Sequence, residues 1–94
     1  METNMTVVYD LTPTDGRKSF YGKARIVVKN GKKTLISYDT PVCCINRRGT
    51  FKRYWDEYSA TTMRHVNAFL TKYKVECGGK KWWDAQPVKS FKGF

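Results

Sequence analysis

Residues 58–75 read YSATTMRHVNAFLTKYKV, and the reading of this stretch decides the fold. Met63, Val66, Leu70 and Tyr73 recur at i, i+3, i+7 and i+10, which lays one apolar stripe along a helical period. Phe69 widens the stripe. Ser59 is placed as the N-cap, because its hydroxyl oxygen can accept from the free N–H groups of the first turn. Asp56 and Glu57 stand just ahead, where the helix dipole favours negative charge, and Lys72 and Lys74 stand near the end, where it favours positive. Gly78 and Gly79 are expected to stop the run. A single helix with one apolar stripe needs a sheet to lie on.

The residues before it read as that sheet. Asn30-Gly31 is a strong two-residue hairpin signal, since both positions tolerate positive φ. With Lys29 set opposite Lys32, Ile26 faces Leu35, Ala24 faces Ser37 and Val28 faces Lys33, which with Phe20 makes an apolar face. The other face pairs Val27 with Thr34, Arg25 with Ile36, Lys23 with Tyr38 and Tyr21 with Thr40. Pro41 is expected to break or bend the second strand, and Val42–Ile45 to resume it. Asn46–Gly49 reads as the next turn and Thr50–Trp55 as a return strand, in which Phe51, Arg53 and Trp55 alternate with Lys52 and Tyr54. Val7, Val8 and Tyr9 form a short apolar run suited to an edge strand, followed by turn residues at Pro13 and Asp15-Gly16.

The expected architecture is α+β: an antiparallel sheet of about four strands with one amphipathic helix packed on one face. A single domain is expected over 1–94, with an N-terminal strand and turn over 1–18, antiparallel hairpins over 19–57, the helix over 59–75, and an aromatic, basic tail over 78–94. The end of the tail, Lys89 to Phe94, has no pattern and is expected to be mobile. No apolar run is long enough for a transmembrane helix, and METNMTVVYD lacks a signal-peptide layout, so a cytoplasmic setting is expected.

Eighteen Lys and Arg stand against eight Asp and Glu, a formal net charge of +10 at pH 7. Such an excess costs self-repulsion and is tolerated more easily beside an anionic partner, phosphate backbones first, acidic proteins and anionic membranes next. No acidic residue lies between Asp15 and Asp39, while seven basic ones do. The outer hairpin face therefore gathers Tyr21, Lys23, Arg25, Lys29, Lys32 and Tyr38. Cations there would neutralise phosphates, and tyrosine rings would stack on unpaired bases. The competing reading is a solvated sheet face with cross-strand tyrosine packing. Arg47 and Arg48, at a turn tip, are also placed to grip phosphate.

Catalytic chemistry is not expected. An enzyme needs a nucleophile, an acid–base pair or a metal in convergent positions. The one histidine, His65, lies at the border of the helical stripe. Cys43 and Cys44 are adjacent and Cys77 is remote, so no metal-cage spacing exists. Strand alternation would turn one of Cys43 and Cys44 inward and the other outward. No phosphate-binding loop, dinucleotide fingerprint or zinc-protease motif occurs, and no metal or cofactor is expected. A second reading makes the chain a protein–protein module anchored by Trp82, Trp83 and the C-terminal aromatics, because buried tryptophan and tyrosine dominate interface energetics.

Three stretches taken together, Ser37–Val42 (SYDTPV), Tyr58–Leu70 (YSATTMRHVNAFL) and Gly79–Trp83 (GKKWW), carry a resemblance. The chain resembles a family of small uncharacterised domains found in gut Firmicutes and in their phages and plasmids. The likeness spans roughly residues 19–88 and brings no activity with it. It implies a setting, mobile genetic elements, where small stand-alone proteins often block a host defence, as anti-CRISPR proteins do. For a chain this basic, the resemblance implies a grip on guide RNA, target DNA or an acidic patch of a Cas effector, rather than DNA mimicry. The expectation carried forward is a non-catalytic, basic accessory protein that binds DNA, RNA or a nucleoprotein and involves no membrane.

Overall fold

A computed structural model describes residues 6–11, 22–75 and 78–93. Five strands form one antiparallel meander in sequence order: β1 (Thr6–Asp10), β2 (Ala24–Lys29), β3 (Lys32–Ser37), β4 (Thr40–Ile45) and β5 (Phe51–Arg53). Two helices follow, α1 (Ala60–Lys72) and α2 (Gly79–Ala85). The edge strand expected around Val7–Tyr9 is β1, paired with β2. Phe20, Tyr21, Pro13, Asp15-Gly16 and Cys77 lie outside the described residues.

The β2–β3 hairpin has the expected register, with Lys29 opposite Lys32, Ile26 opposite Leu35 and Ala24 opposite Ser37. Asn30 and Gly31 both take positive φ, as the two-residue turn requires. The next reversal was not expected. β3 does not run on to Thr40; the chain turns back at Tyr38 and Asp39, whose φ angles are 50° and 66°. Thr40 therefore pairs with Ser37 across this turn; Tyr21, which was expected opposite it, lies outside the described residues. Left-handed backbone is uncommon for a tyrosine, so propensity hides this turn. Pro41 sits inside β4, and the register shifts between Leu35 and Ile36, so that Cys43 opposes Leu35 and Pro41 opposes Ile36. Val42 is the extra residue of this bulge, and its carbonyl accepts from both Tyr54 N and Trp55 N.

Helix α1 begins as expected, with Ser59 Oγ accepting from Thr62 N at 3.0 Å. It ends sooner than expected. Val75 N bonds Leu70 O at 2.8 Å and Lys74 N bonds Thr71 O at 3.1 Å, with Lys74 at φ 60°. That is the Schellman arrangement, here with a lysine where glycine is usual. Gly78 and Gly79 do not stop α1; they open α2, an element absent from the sequence-based expectation.

Met63, Val66, Phe69 and Leu70 press the α1 stripe onto Ala24, Ile26, Leu35, Cys43 and Ile45 of the sheet, with Trp83 of α2 closing the same core. Full burial of Phe69 and Leu70 is worth about 1.5–3 kcal/mol each in hydrophobic transfer. His65 is also inside, at 1% exposure. Its Nδ1 shares a 2.8 Å hydrogen bond with Ser37 Oγ, which lies 3.4 Å from Thr62 Oγ1. Burial, and then the charge of Arg64, lower its pKa below the ordinary histidine value.

The face of the sheet away from α1 is not an open wall. Val27, Thr34, Ile36 and Cys44 all point to it and all are buried. Both cysteines are therefore enclosed, which corrects the expectation that one of them faces out. The cover is Tyr54 together with the C-terminal segment, whose Phe91 stands beside Val27 and Ile36 while residues 87–92 stay exposed. Lys89 N donates to Arg53 O at 2.7 Å, and Arg53 and Val88 form a parallel bridge. The Phe91 ring stands edge-on to Tyr54 at 5.2 Å, and Lys32 Nζ donates to Gly93 O at 2.9 Å.

Arg53 fastens this cover to the core. Alternation in β5 turns it inward, and it is 5% exposed. Its Nε donates to Trp55 O at 2.7 Å and its NH1 to Trp83 O at 2.9 Å. Longer contacts of 3.4 Å reach Gln86 O and Glu57 O, and the guanidinium lies 4.5 Å from the Trp83 ring centroid. One side chain thus ties β5, the segment 55–57 and the end of α2.

Candidate functional site

Strand direction decides where the charge collects. β2 ends and β3 begins at one end of the sheet, and β4 ends and β5 begins at the same end. Lys29 and Lys32 flank the first turn there, and Arg47 and Arg48 sit in the second. The two turns touch: a Cβ built on Gly31 would lie 3.1 Å from Arg47 Cγ. Asn46 holds the second turn, with Oδ1 accepting from Arg48 N and Thr50 N at 2.9 Å each. The arginine side chains are thus presented from a braced loop. Lys52 enters from β5. The C-terminal segment brings Lys89 and Lys92 beside Lys32, where Lys92 and Lys52 help line the same concavity. Among the described residues, no Asp or Glu belongs to these strand ends or turns.

The most basic part is a concavity of about 450 Å³ lined by Lys32, Lys52, Tyr54, Lys89, Ser90 and Lys92. Four lysines line it, and among the described residues its lining holds no carboxylate. Tyr54 is the aromatic member of the lining. Lys32 Nζ stands 5.8 Å from the Tyr54 ring centroid, a cation–π distance. The Tyr54 hydroxyl shares a 3.0 Å hydrogen bond with Cys44 Sγ. Burial, and then the Cys44 thiol, hold the Tyr54 phenol well above its ordinary pKa. It therefore stays neutral and does not oppose an incoming anion.

The residues expected to form one cationic wall are divided between the two ends of the sheet. Lys29 and Lys32 are at the basic end, where Arg47 and Arg48, expected separately at a turn tip, join them. Lys23, Arg25 and Tyr38 are at the other end, in a different environment. Arg25 NH2 is engaged by Asp39 Oδ1 in an ion pair, and Lys23 Nζ lies 5.9 Å from the Tyr38 ring centroid. Tyr38 is exposed and its ring is 5.7 Å from that of His65. Tyr21 lies outside the described residues.

Trp83 cannot anchor a partner in this fold, because it has no exposed surface and its Nε1 donates to Glu57 O at 2.8 Å. Trp82 is half-buried against the Phe51 ring at 5.0 Å. Both indoles serve the chain's own core. Lys52, Tyr54, Lys89 and Lys92 were not expected as site residues. The signal for Lys52 and Tyr54 was present in the alternation of β5, which turns them away from the helix. Lys89 and Lys92 had no such signal, because the course of the tail depends on the buried Arg53.

Among the described residues, no group of three or more His, Cys, Asp or Glu is placed to hold a metal ion, and no helix is long and apolar enough to cross a membrane. No curated protein and no solved structure matches the chain significantly. A family model does match, over residues 9–85, which takes in all five strands and both helices apart from the first residues of β1. On that match, the chain belongs to the family of unknown function DUF8033.

Proposed function

We propose that this protein is a non-catalytic binding module that grips the phosphate backbone of nucleic acid, alone or within a nucleoprotein, through the basic end of its sheet. One observation carries the reading: Lys32, Lys52, Lys89 and Lys92 line one concavity with Tyr54, and among the described residues no carboxylate joins them. Holding four ammonium groups together costs repulsion, which a polyanion relieves. Arg47 and Arg48 extend the same field from the adjoining turn and suit planar contacts to phosphate. The mobile-element setting implied by the sequence resemblance makes a host-defence nucleoprotein, such as a Cas effector, the natural target.

The test is fluorescence anisotropy with labelled DNA and RNA oligonucleotides across a salt series. Four lysine–phosphate contacts should give a slope of log K against log salt of about −3 to −4. Lys52→Glu combined with Lys92→Glu should abolish binding while leaving the circular dichroism spectrum unchanged. Reversal of Lys23, at the far end, should have little effect. If neither nucleic acid binds at low salt, the proposal fails.

A further inference from the structure

A second concavity adjoins the lysine cup, and its chemistry is different. It measures about 380 Å³ and is walled by Val8, Val27, Ile36, Pro41 and Phe91, with the Arg25–Asp39 pair at its rim. Phe91 separates it from the cup. Its ring packs on Tyr54 at 5.2 Å between centroids, and Tyr54 in turn lines the cup. Cup and slot therefore lie on either side of one aromatic pair. Val8 and Phe91 keep large apolar surfaces open to solvent, at 55% and 37% exposure.

We infer that the slot receives an unpaired base from a strand whose phosphates occupy the lysine cup, so that the ligand is single-stranded nucleic acid. This inference rests on the phosphate-binding reading proposed above and adds to it the state of the bases. The occupant follows from continuity and complementarity. A strand held by Lys32, Lys52, Lys89 and Lys92 carries its bases past the Tyr54–Phe91 pair. Aromatic side chains beside a cationic track are the common means of holding single strands, because every base has a π-face. The Arg25–Asp39 rim offers both donors and an acceptor to the edge of a base lodged against Phe91. In a duplex the bases are paired and stacked, so none is free to enter the slot. No reader of the 2′-hydroxyl is needed, so an unpaired deoxyribonucleotide or ribonucleotide meets the same chemistry.

The experiment compares four labelled 12-mers by anisotropy at low salt: deoxyuridine DNA, uridine RNA, the deoxyuridine strand annealed to its complement, and an abasic strand with the same phosphates. The expected order places both base-bearing single strands about tenfold tighter than the abasic strand, with the duplex also weaker than the single strands. Phe91→Ala should remove most of that difference. Because Phe91 also holds the C-terminal segment, Val8→Glu is the second variant; it lies on an exposed position of β1 and sets a negative charge at the slot. It should weaken the base-bearing strands more than the abasic one. Equal binding of abasic and base-bearing strands, or a duplex that binds as tightly as the single strands, overturns the slot while leaving the phosphate grip standing. Loss of binding by all four would overturn the grip itself. A preference between the DNA and RNA strands would overturn the claim that the sugar is not read.

Discussion

Replacing Arg53 with methionine isolates what fastens the C-terminal segment. Methionine keeps much of the stem's packing and removes the guanidinium. Two good hydrogen bonds disappear, from Nε to Trp55 O at 2.7 Å and from NH1 to Trp83 O at 2.9 Å. The two 3.4 Å contacts are too long to count in full. Hydrogen bonds from a charged donor are worth about 1.5–3 kcal/mol each, so the two short ones set a loss of about 3–6 kcal/mol. Some of it returns, because a buried guanidinium carries its own desolvation cost. The expected net loss is about 3–4 kcal/mol, a large share of the roughly 5–14 kcal/mol available to a domain of this size. At about 4–8 °C per kcal/mol, the melting temperature should fall by about 12–32 °C. Urea unfolding followed by tryptophan fluorescence measures it directly, since Trp83 lies against the guanidinium. A loss below about 1 kcal/mol would refute the account of Arg53 as the tie between β5, α2 and the tail. Lys52→Met is the companion. Lys52 is exposed on the opposite face, so its replacement should leave stability within about 0.5 kcal/mol while reducing affinity for oligonucleotides.

Three further outcomes are expected. His65 is held neutral by burial, and its folded pKa lies below the unfolded value near 6.5. The unfolded chain therefore binds the proton more readily. Stability should be full above about pH 7 and fall on acidification through the unfolded pKa, continuing down to the lowered folded one. His65→Gln should flatten that part of a pH series of urea midpoints; an unchanged slope would contradict the assignment. Thr34 Oγ1 is buried and has no hydrogen-bond partner among the described residues, so Thr34→Val should leave stability unchanged or raise it by about 1 kcal/mol. A clear loss in a thermal melt would mean that the hydroxyl is satisfied. Lys74→Gly should stabilise by about 1 kcal/mol, because glycine accepts φ 60° without the Cβ penalty. A fall in melting temperature would argue against the Schellman ending.

Several of these positions were legible in the sequence because their causes are local. The stripe of Met63, Val66 and Leu70, the cap at Ser59 and the register set by Asn30-Gly31 depend on neighbours a few residues away. The structure has each of them as read. The alternation that turns Arg53 inward was equally visible, although its acceptors were not. The turn at Tyr38-Asp39 was hidden because neither residue type signals positive φ as strongly as glycine, and α2 was hidden because seven residues hold too short a pattern.

What the sequence determined by itself was the kind of element that the strongly patterned segments form, the β2–β3 hairpin and α1, since periods of 2 and 3.6 are properties of a few consecutive residues. It also determined the excess of positive charge. Only the tertiary structure decided where that charge collects. Strand order sent Lys29, Lys32 and Lys52 to one end and Arg25 to the other, beside Asp39, and the tail held by Arg53 carried Lys89 and Lys92 back to the first end. Those meetings join residues far apart in the chain. They exist because the Arg53 guanidinium holds the end of α2 and the Arg53 carbonyl holds Lys89, and no local pattern encodes those contacts.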